Sequence, residues 1–275
     1  MRIRILGSAA AEGIPALFCE CKTCRRARSI RGRNLRSRTS VQIDETILID
    51  LPPDILSQVQ REGFSLASIA HILITHSHRD HFAPEELHLR REPFAHWEQQ
   101  PTLHLYGTEP TGEIFGETFR EPPIEQGVQF NTIHPFVSFT AGDTLVTPIS
   151  ANHSPHLNPV NYILSRRGRT LLAAFDTGWY SEQAWSALNR WQFDIVVAEC
   201  TTGLQSDPLN KHMSVQSVKE MRNELVRRDC LKDTARFVTV HFSHDGGLLH
   251  EDLEREFAGT GIEAGYDGMV VEVPD

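Results

Sequence analysis

The sequence predicts an α/β protein, because short apolar segments of strand length alternate along the chain with segments of helical character. Ile69–Ile74 and Asp194–Ala198 are two such apolar segments. The chain has 275 residues, of which 40% are hydrophobic and 23% charged; this is ordinary for a globular protein and long enough for a substantial core. The pattern is compatible with one large α/β domain or two ordinary ones.

The first β-rich half is predicted to extend over residues 1–140. Residues 2–6 alternate arginine with isoleucine and leucine ahead of Gly7, which indicates a first strand. Two apolar segments flank Asp44-Glu45 between Val41 and Asp50, which favours a hairpin. We then expect a helix over 53–62, a strand over 69–74, a short helix over 84–91, a strand over 102–106, a helix over 111–119 and paired strands within 120–140.

The second half, residues 141–275, repeats a pattern in which strands end in candidate metal ligands. A strand over 144–150 leads to His153, and a hairpin around Gly168 leads to Asp176. After them we expect a helix over 181–191, a strand over 194–198, a helix from 212 to about 228 and a strand over 236–240, which is followed by His241 and His244.

Composition and charge exclude several classes of protein. No apolar segment approaches the ~20 residues that a membrane-spanning helix needs, and the N-terminal residues do not resemble a signal peptide. We therefore expect a cytoplasmic protein with no membrane partner. The net charge of −9 argues against a broad nucleic-acid surface. Five cysteines in a reducing compartment favour metal ligands or free thiols over disulfides, with Cys200 and Cys230 as inert thiols.

A cluster of imidazoles and a carboxylate follows the apolar segment that ends at Ile74. The motif reads Thr-His-Ser-His-Arg-Asp-His and places three histidines and an aspartate within residues 76–81. These groups are ligands for borderline divalent metals, and each would cost free energy if it were buried without a partner. The His-x-His pair can reach one ion while Asp80 and His81 face a second. The motif therefore predicts a two-metal hydrolytic centre.

A second cluster consists of Cys19, Cys21 and Cys24 in a C-x-C-x-x-C pattern. Three thiols at this spacing can converge on one tetrahedral zinc, and thiolate zinc sites of this kind are usually structural. The alternative is three unrelated free cysteines.

Three further features carry two interpretations each. Lys22 and seven arginines within Arg25–Arg38 form either a solvated surface or a rim that attracts phosphate. Asp50 is either a turn residue or an acceptor for the second nitrogen of a metal-bound histidine, and we favour the acceptor. His156 is either a substrate contact or an exposed loop residue.

The order of these residues resembles the metallo-β-lactamase superfamily: His76-x-His78-x-Asp80-His81, then His153, then Asp176 after an apolar strand, then His241. The resemblance covers nearly the whole chain. It implies a single domain over 1–275 with an αββα sandwich, in which two mixed β-sheets are flanked by helices. It also implies a dinuclear site in which one metal is held by His76, His78 and His153, the other by Asp80, His81 and His241, and Asp176 bridges them.

Within the superfamily the sequence is most similar to the PhnP-type phosphodiesterases. That resemblance implies that Cys19, Cys21, Cys24 and His244 hold a structural zinc. It also implies that His212 is the acid catalyst, while Asp80 orients the nucleophile. A histidine that opens a helix can instead be a bystander. His241 and His244 are three residues apart, so on extended chain they face opposite sides, one toward each metal site.

The expected function is hydrolysis of a small phosphodiester, such as a cyclic ribose or nucleotide phosphate, by a hydroxide that bridges two divalent ions. Zn²⁺, Mn²⁺ and Fe²⁺ are all compatible with the ligands. The second hypothesis is a PqqB-like role in cofactor biosynthesis, oxygen-dependent or as a carrier, although members of that branch generally lack the complete dinuclear ligand set. Further alternatives are a tRNase Z-like nuclease and a non-catalytic zinc-binding module. A homodimer is compatible with the sequence.

Overall fold

The computed structural model describes residues 1–119 and 127–273 and contains two seven-stranded sheets. The first sheet has the strand order β14-β1-β2-β3-β4-β5-β6. Its strands are β1 Arg2–Gly7, β2 Ser40–Ile43, β3 Ile47–Ile49, β4 His71–Leu73, β5 Leu103–Gly107, β6 Val128–Thr132 and β14 Val270–Glu272. The pairings from β3 to β6 are parallel, whereas those among β14, β1, β2 and β3 are antiparallel.

The second sheet has the strand order β13-β12-β11-β10-β9-β8-β7 and is also mixed. Its strands are β7 Phe139–Ala141, β8 Thr144–Ser150, β9 Val160–Arg166, β10 Arg169–Ala174, β11 Phe193–Glu199, β12 Leu231–Val240 and β13 Ile262–Ala264. The strands from β7 to β10 pair antiparallel, and those from β10 to β13 pair parallel.

Within residues 1–119 and 127–273, six α-helices cover the outer faces of the two sheets. They are α1 Lys22–Ile30, α2 Ile55–Glu62, α3 Glu109–Thr118, α4 Glu182–Leu188, α5 Val215–Arg227 and α6 His250–Phe257. Leu48 and Leu105 of the first sheet pack with Phe115 of α3. Leu172 and Val196 of the second sheet belong to a separate cluster with α4, α5 and α6. None of the helices within 1–119 and 127–273 is long and apolar enough to cross a membrane.

The inner faces of the sheets form a third apolar core. Ile5, Val41 and Leu73 of the first sheet lie in one cluster with Tyr162 and Val197 of the second. The alternation of inward and outward residues in β1 produces this division. Two mixed sheets with helices outside them confirm the αββα sandwich expected from the sequence.

The two sheets are also joined by hydrogen bonds beside the histidine motif. The hydroxyl of fully buried Tyr162 donates to the carbonyl of Ile74 at 2.6 Å, and the Val160 amide donates to the carbonyl of Thr75 at 2.9 Å. A buried hydroxyl without a partner would cost about 1–3 kcal/mol. These bonds fix the end of the motif strand against the second sheet.

One sequence expectation, the paired strands within 120–140, is corrected by the structure. β6 and β7 do not pair with each other, because β6 extends the first sheet beside β5 and β7 opens the second sheet beside β8. The rest of that expectation, residues 120–126, lies outside the described residues. The short helix expected over 84–91 is present as the 3₁₀ helix Pro84–Arg90.

Candidate metal centre and its surroundings

The candidate ligands lie where strands of both sheets end. The histidine motif follows β4, His153 follows β8, Asp176 follows β10 and His241 follows β12. Asp176 and His241 have φ angles of 42° and 58°, a left-handed conformation that is uncommon outside glycine. Such backbone turns each side chain out of its strand direction, and it is frequent at functional sites.

One group of four side chains surrounds a point between the sheets. The ligand atoms of His76, His78, His153 and Asp176 all lie within 4.8 Å of one another. His76 Nε2 and His153 Nε2 lie 2.8 Å and 3.2 Å from His78 Nδ1, and 3.5 Å and 3.6 Å from Asp176 Oδ2. Ligand atoms around a tetrahedral zinc are about 3.3 Å apart when each bond is about 2.0–2.1 Å. The group therefore fits one divalent ion.

A second group shares the Asp176 carboxylate with the first. It contains Asp80, His81, Asp176 and His241, again with ligand atoms within 4.8 Å. His81 Nε2 lies 3.1 Å from Asp80 Oδ2 and 3.4 Å from Asp176 Oδ2, and His241 Nε2 lies 2.7 Å from Asp176 Oδ1. The donor set again fits a divalent ion, and the shared carboxylate can bridge two ions.

The protonation states of His76, Asp80 and Asp176 suit metal binding. Burial holds the pKa of His76 well below its ordinary value, so its ring stays neutral and keeps a lone pair for a metal. Burial would raise the pKa of Asp176, but the neighbouring His241 and His81 keep it well below the ordinary value. The pKa of Asp80 is likewise lowered, against its burial, chiefly by His81. Both carboxylates are therefore ionised.

The rings of His81 and His241 are each oriented by a partner on the other nitrogen. His81 Nδ1 donates to Asp50 Oδ2 at 2.6 Å, and Asp50 is fully buried. The Asp50 carboxylate also accepts from the amide and hydroxyl of Thr75. His241 Nδ1 lies 2.8 Å from the hydroxyl of Thr201. Such partners set the ring orientation of metal-binding histidines, and Asp50 has the contact expected of an acceptor.

His212 lies beside the two groups rather than within either of them. Its ring centroid is 4.8 Å from that of His153 and 6.0 Å from that of His241. His212 Nδ1 donates to Glu199 Oε1 at 3.0 Å. Burial lowers the pKa of His212, but the hydrogen bond and charge of Glu199 raise it above the ordinary value. The raised pKa favours the protonated ring, which is the form that a general acid needs.

Glu199 is a functional residue that the sequence analysis missed. It is fully buried at the end of β11, and its carboxylate accepts hydrogen bonds from His212, from the amides of Thr177 and Met213, and from the amide and hydroxyl of Thr201. The sequence analysis could have found Glu199 by the pattern that identified Asp50 and Asp176, namely a carboxylate directly after an apolar strand. Through Thr201 it also supports His241.

The structure brings the three N-terminal cysteines together with His244. The ligand atoms of Cys19, Cys21, Cys24 and His244 lie within 4.8 Å of one another. His244 Nδ1 is 3.7 Å from the Cys19 sulfur and 3.5 Å from that of Cys21. The backbone amide of Cys24 donates to the Cys21 sulfur. This hydrogen bond is the main reason that the pKa of the Cys21 thiol is lowered to about 6. Burial raises the pKa of Cys24 to about 12. The donor set is that of a closed zinc site.

The arginines after the cysteine cluster are largely committed to contacts within the chain. Arg36 is buried and donates to the Ser8 hydroxyl and the Gly265 carbonyl. Several others form ion pairs with carboxylates: Arg26 with Asp252, Arg28 with Glu20, Arg33 with Glu254 and Arg38 with Asp54. These contacts favour a structural role for the stretch. His156 is exposed on the 3₁₀ turn that follows His153.

Comparison with known proteins agrees with this geometry. A family model described as the beta-lactamase superfamily domain matches residues 45–242. Coenzyme PQQ synthesis protein B of Azoarcus sp. (strain BH72) is 27% identical, over 99% of this chain and 100% of its own length. A diphosphatase of the PhnP family has a TM-score of 0.77 at 23% identity, covering 99% of this chain and 98% of that one. Zn²⁺-bound PqqB of Methylobacterium extorquens has a TM-score of 0.78 at 20% identity, covering 99% and 100%. The chain belongs to the beta-lactamase superfamily.

Proposed function

We propose that this protein is a phosphodiesterase that acts on a small phosphodiester and depends on two divalent metal ions. The observation that carries the proposal is the pair of ligand groups that share Asp176, with His212 beside them. The family is mostly known through metal-dependent hydrolases, which agrees with such a site. The ligands suit Zn²⁺ or Mn²⁺, and Fe²⁺ is also compatible.

The charge of the site favours a phosphodiester over a neutral ester. His76, His78, Asp80, His81, His153, Asp176 and His241 would hold the ions. Two divalent ions in these groups would supply a hydroxide at neutral pH and stabilise negative charge on the phosphoryl oxygens. Asp80 and Asp176 supply only two negative charges, so the loaded site keeps a positive charge. A phosphodiester monoanion is attracted by that charge.

His212 has the position of a proton donor for the leaving group, and its hydrogen bond to Glu199 favours the protonated ring. Because Glu199 occupies its Nδ1, the Nε2 side of the ring remains for the leaving oxygen. Asp80 lies against His81 and His241, where it can orient the attacking water. Replacing His212 by Asn should lower kcat for an alkoxide leaving group by about 10²-fold with metal content unchanged. Unaltered turnover would remove His212 from the mechanism.

We further propose a structural zinc held by Cys19, Cys21, Cys24 and His244. Backbone amides donate to each of the three sulfurs: Ala16 to Cys24, Cys21 to Cys19 and Cys24 to Cys21. Amide donors of this kind stabilise thiolates. On the far side of His244, Glu12 Oε1 lies 3.7 Å from Nε2 and accepts from the Ser243 hydroxyl. The zinc would tie the N-terminal loop to the segment that carries His241.

The proposal is tested by a substrate panel with the metal-loaded protein. Bis-p-nitrophenyl phosphate, a nucleoside 2′,3′-cyclic phosphate, a phosphomonoester and a thioester are compared in the presence of Mn²⁺ or Zn²⁺. We expect turnover of the diesters, and its loss in His153→Ala. Hydrolysis of the thioester alone would contradict the proposal. A precursor tRNA added to the panel tests the nuclease alternative.

A PqqB-like role is the second candidate, because a coenzyme PQQ synthesis protein B matches the sequence over nearly its full length. That role predicts no hydrolysis of any ester in the panel and a dependence on iron or oxygen. Oxygen uptake by the iron-loaded protein, together with an inert panel, would favour it over the phosphodiesterase.

A further inference from the structure

The segment between β11 and α5 forms a closed loop that carries His212 on its returning side. At its base, the Thr202 amide donates to the Met213 carbonyl at 3.1 Å, and the Val215 amide donates to the Gly203 carbonyl at 2.7 Å. A Cβ atom at Gly203 would lie 2.3 Å from the Gly246 carbonyl oxygen, so the loop base packs against the segment after His244. The position of His212 therefore depends on how residues 204–211 are folded.

Asp207 organises the returning side of this loop. Its carboxylate accepts hydrogen bonds from three backbone amides, those of Leu209 at 2.9 Å, Lys211 at 2.7 Å and His212 at 3.0 Å. The last of these bonds acts on the backbone of His212 itself. Glu199 holds the ring of His212 from the opposite direction, through Nδ1. The two carboxylates together constrain the backbone and the ring of His212.

Asn210 fastens the same loop to the strand ends that carry metal ligands. Its φ of 51° lies in the left-handed region, which asparagine tolerates better than most residues. Its side-chain oxygen accepts from the Trp179 amide at 2.8 Å, and its carbonyl accepts from Asn152 Nδ2 at 3.0 Å. Asn152 precedes His153. A Cβ atom at Gly178, two residues after Asp176, would lie 1.8 Å from the Asn210 carbonyl oxygen, so the approach is close.

From these contacts we infer that Asp207 and Asn210 are positioning residues that hold His212 at the distance from the metal centre that proton transfer requires. The inference rests on the proposed role of His212 as proton donor. Asp207 sets the backbone of His212 within the loop, and Asn210 sets the loop relative to Asp176 and His153. Neither side chain needs to touch the substrate. A displacement of about 1 Å at a catalytic group can cost about 10²-fold in rate.

The test compares leaving groups, since only a poor leaving group needs a proton from the enzyme. The variants are Asp207→Ala and Asn210→Gly, and the matched control is Asp233→Ala, an exposed aspartate of β12. Glycine at 210 keeps the left-handed backbone and removes only the side-chain acceptor. The substrates are bis-p-nitrophenyl phosphate, which releases p-nitrophenolate, and a nucleoside 2′,3′-cyclic phosphate, which releases an alkoxide.

We expect Asp207→Ala to lower kcat for the alkoxide-releasing diester by about 10–100-fold. Its kcat for the p-nitrophenyl diester should stay within about 3-fold of the wild-type value, with KM and metal content unchanged. Combined with His212→Asn, Asp207→Ala should cause no further loss. Equal losses on both substrates, or losses that multiply in the double variant, would overturn the inference.

A second variant and an NMR measurement distinguish a failure of this inference from misfolding of the variant and from a failure of the proposed function. If Asp207→Ala does not fold, Asp207→Asn replaces it; this variant retains one acceptor oxygen and should show an intermediate loss on the alkoxide substrate alone. If the wild-type protein cleaves neither diester, the proposed function fails. The inference is then judged by the imidazole NMR signals of His212, which should shift in Asp207→Ala but not in Asp233→Ala. Unshifted signals would overturn it.

Discussion

Replacing Glu199 by Gln tests how far one buried carboxylate supports both the proton donor and the metal centre. The carboxamide has nearly the same shape, but one of its two ends is a donor. At Oε1 the carboxylate accepts from the Thr177 amide and His212 Nδ1, and at Oε2 it accepts from Thr201 and Met213. The NH2 group of the amide therefore replaces either Oε1 or Oε2. In both orientations it faces at least two of these hydrogen-bond donors and can accept from neither.

The structure gives the scale of the effect. A hydrogen bond to a charged group contributes about 1.5–3 kcal/mol, and a buried donor left without a partner costs about 1–3 kcal/mol. Losing two such bonds should therefore reduce the free energy of unfolding by about 3 kcal/mol. In a chain of this size that corresponds to a fall in Tm of about 6–12 °C. Since His212 also loses the hydrogen bond and charge that raise its pKa, kcat for an alkoxide leaving group should fall by at least about 10²-fold.

The assays are thermal unfolding of the metal-loaded protein and turnover of bis-p-nitrophenyl phosphate and the nucleoside 2′,3′-cyclic phosphate. Glu220→Gln is the matched control, because Glu220 is exposed on α5 and accepts a hydrogen bond from Gln216 on the same helix. We expect the control to match the wild type in both assays. A Glu199→Gln protein that melts within about 2 °C of the wild type and retains its kcat would refute the reasoning.

Two further predictions concern the metal sites. Cys21→Ser should lose one zinc per chain by elemental analysis and should melt at a lower temperature, because the N-terminal loop is no longer tied to His244; full zinc content would contradict the structural site. Asp50→Asn should weaken metal binding by about 10–100-fold in a chelator competition, because His81 loses the charged acceptor on its Nδ1; an unchanged affinity would show that Asp50 does not support that ligand.

The αββα architecture was implied by the resemblance to the metallo-β-lactamase superfamily, which rests on the order of the candidate ligands that follow the apolar strands. Parallel strands present their carboxyl ends at one edge, so the residues that follow them meet there. The hairpin around Asp44-Glu45 was visible for a local reason, namely two apolar segments separated by turn residues. In each case the apolar segment and the ligand or turn residue beside it are close in the sequence, so the pattern can be recognised without the structure.

Other features depend on contacts between distant parts of the chain. The separation of β6 and β7 into different sheets follows from the packing of the inner core, and no local pattern records it. Asp207 and Asn210 resemble ordinary turn residues in the sequence. Their significance arises only when the loop meets Trp179 and Asn152, about 30 and 60 residues away in the sequence.

The central claim is that two divalent ions in the groups that share Asp176 are required for hydrolysis of a phosphodiester. The most direct measurement is a metal titration of chelator-treated protein, with bis-p-nitrophenyl phosphate turnover followed at each step. We predict that activity stays absent until the ions added beyond the thiolate zinc begin to fill both groups, and that it reaches its plateau at two such ions per chain. Full activity in the metal-free protein, or a fully loaded protein that cleaves no phosphodiester, would contradict the claim.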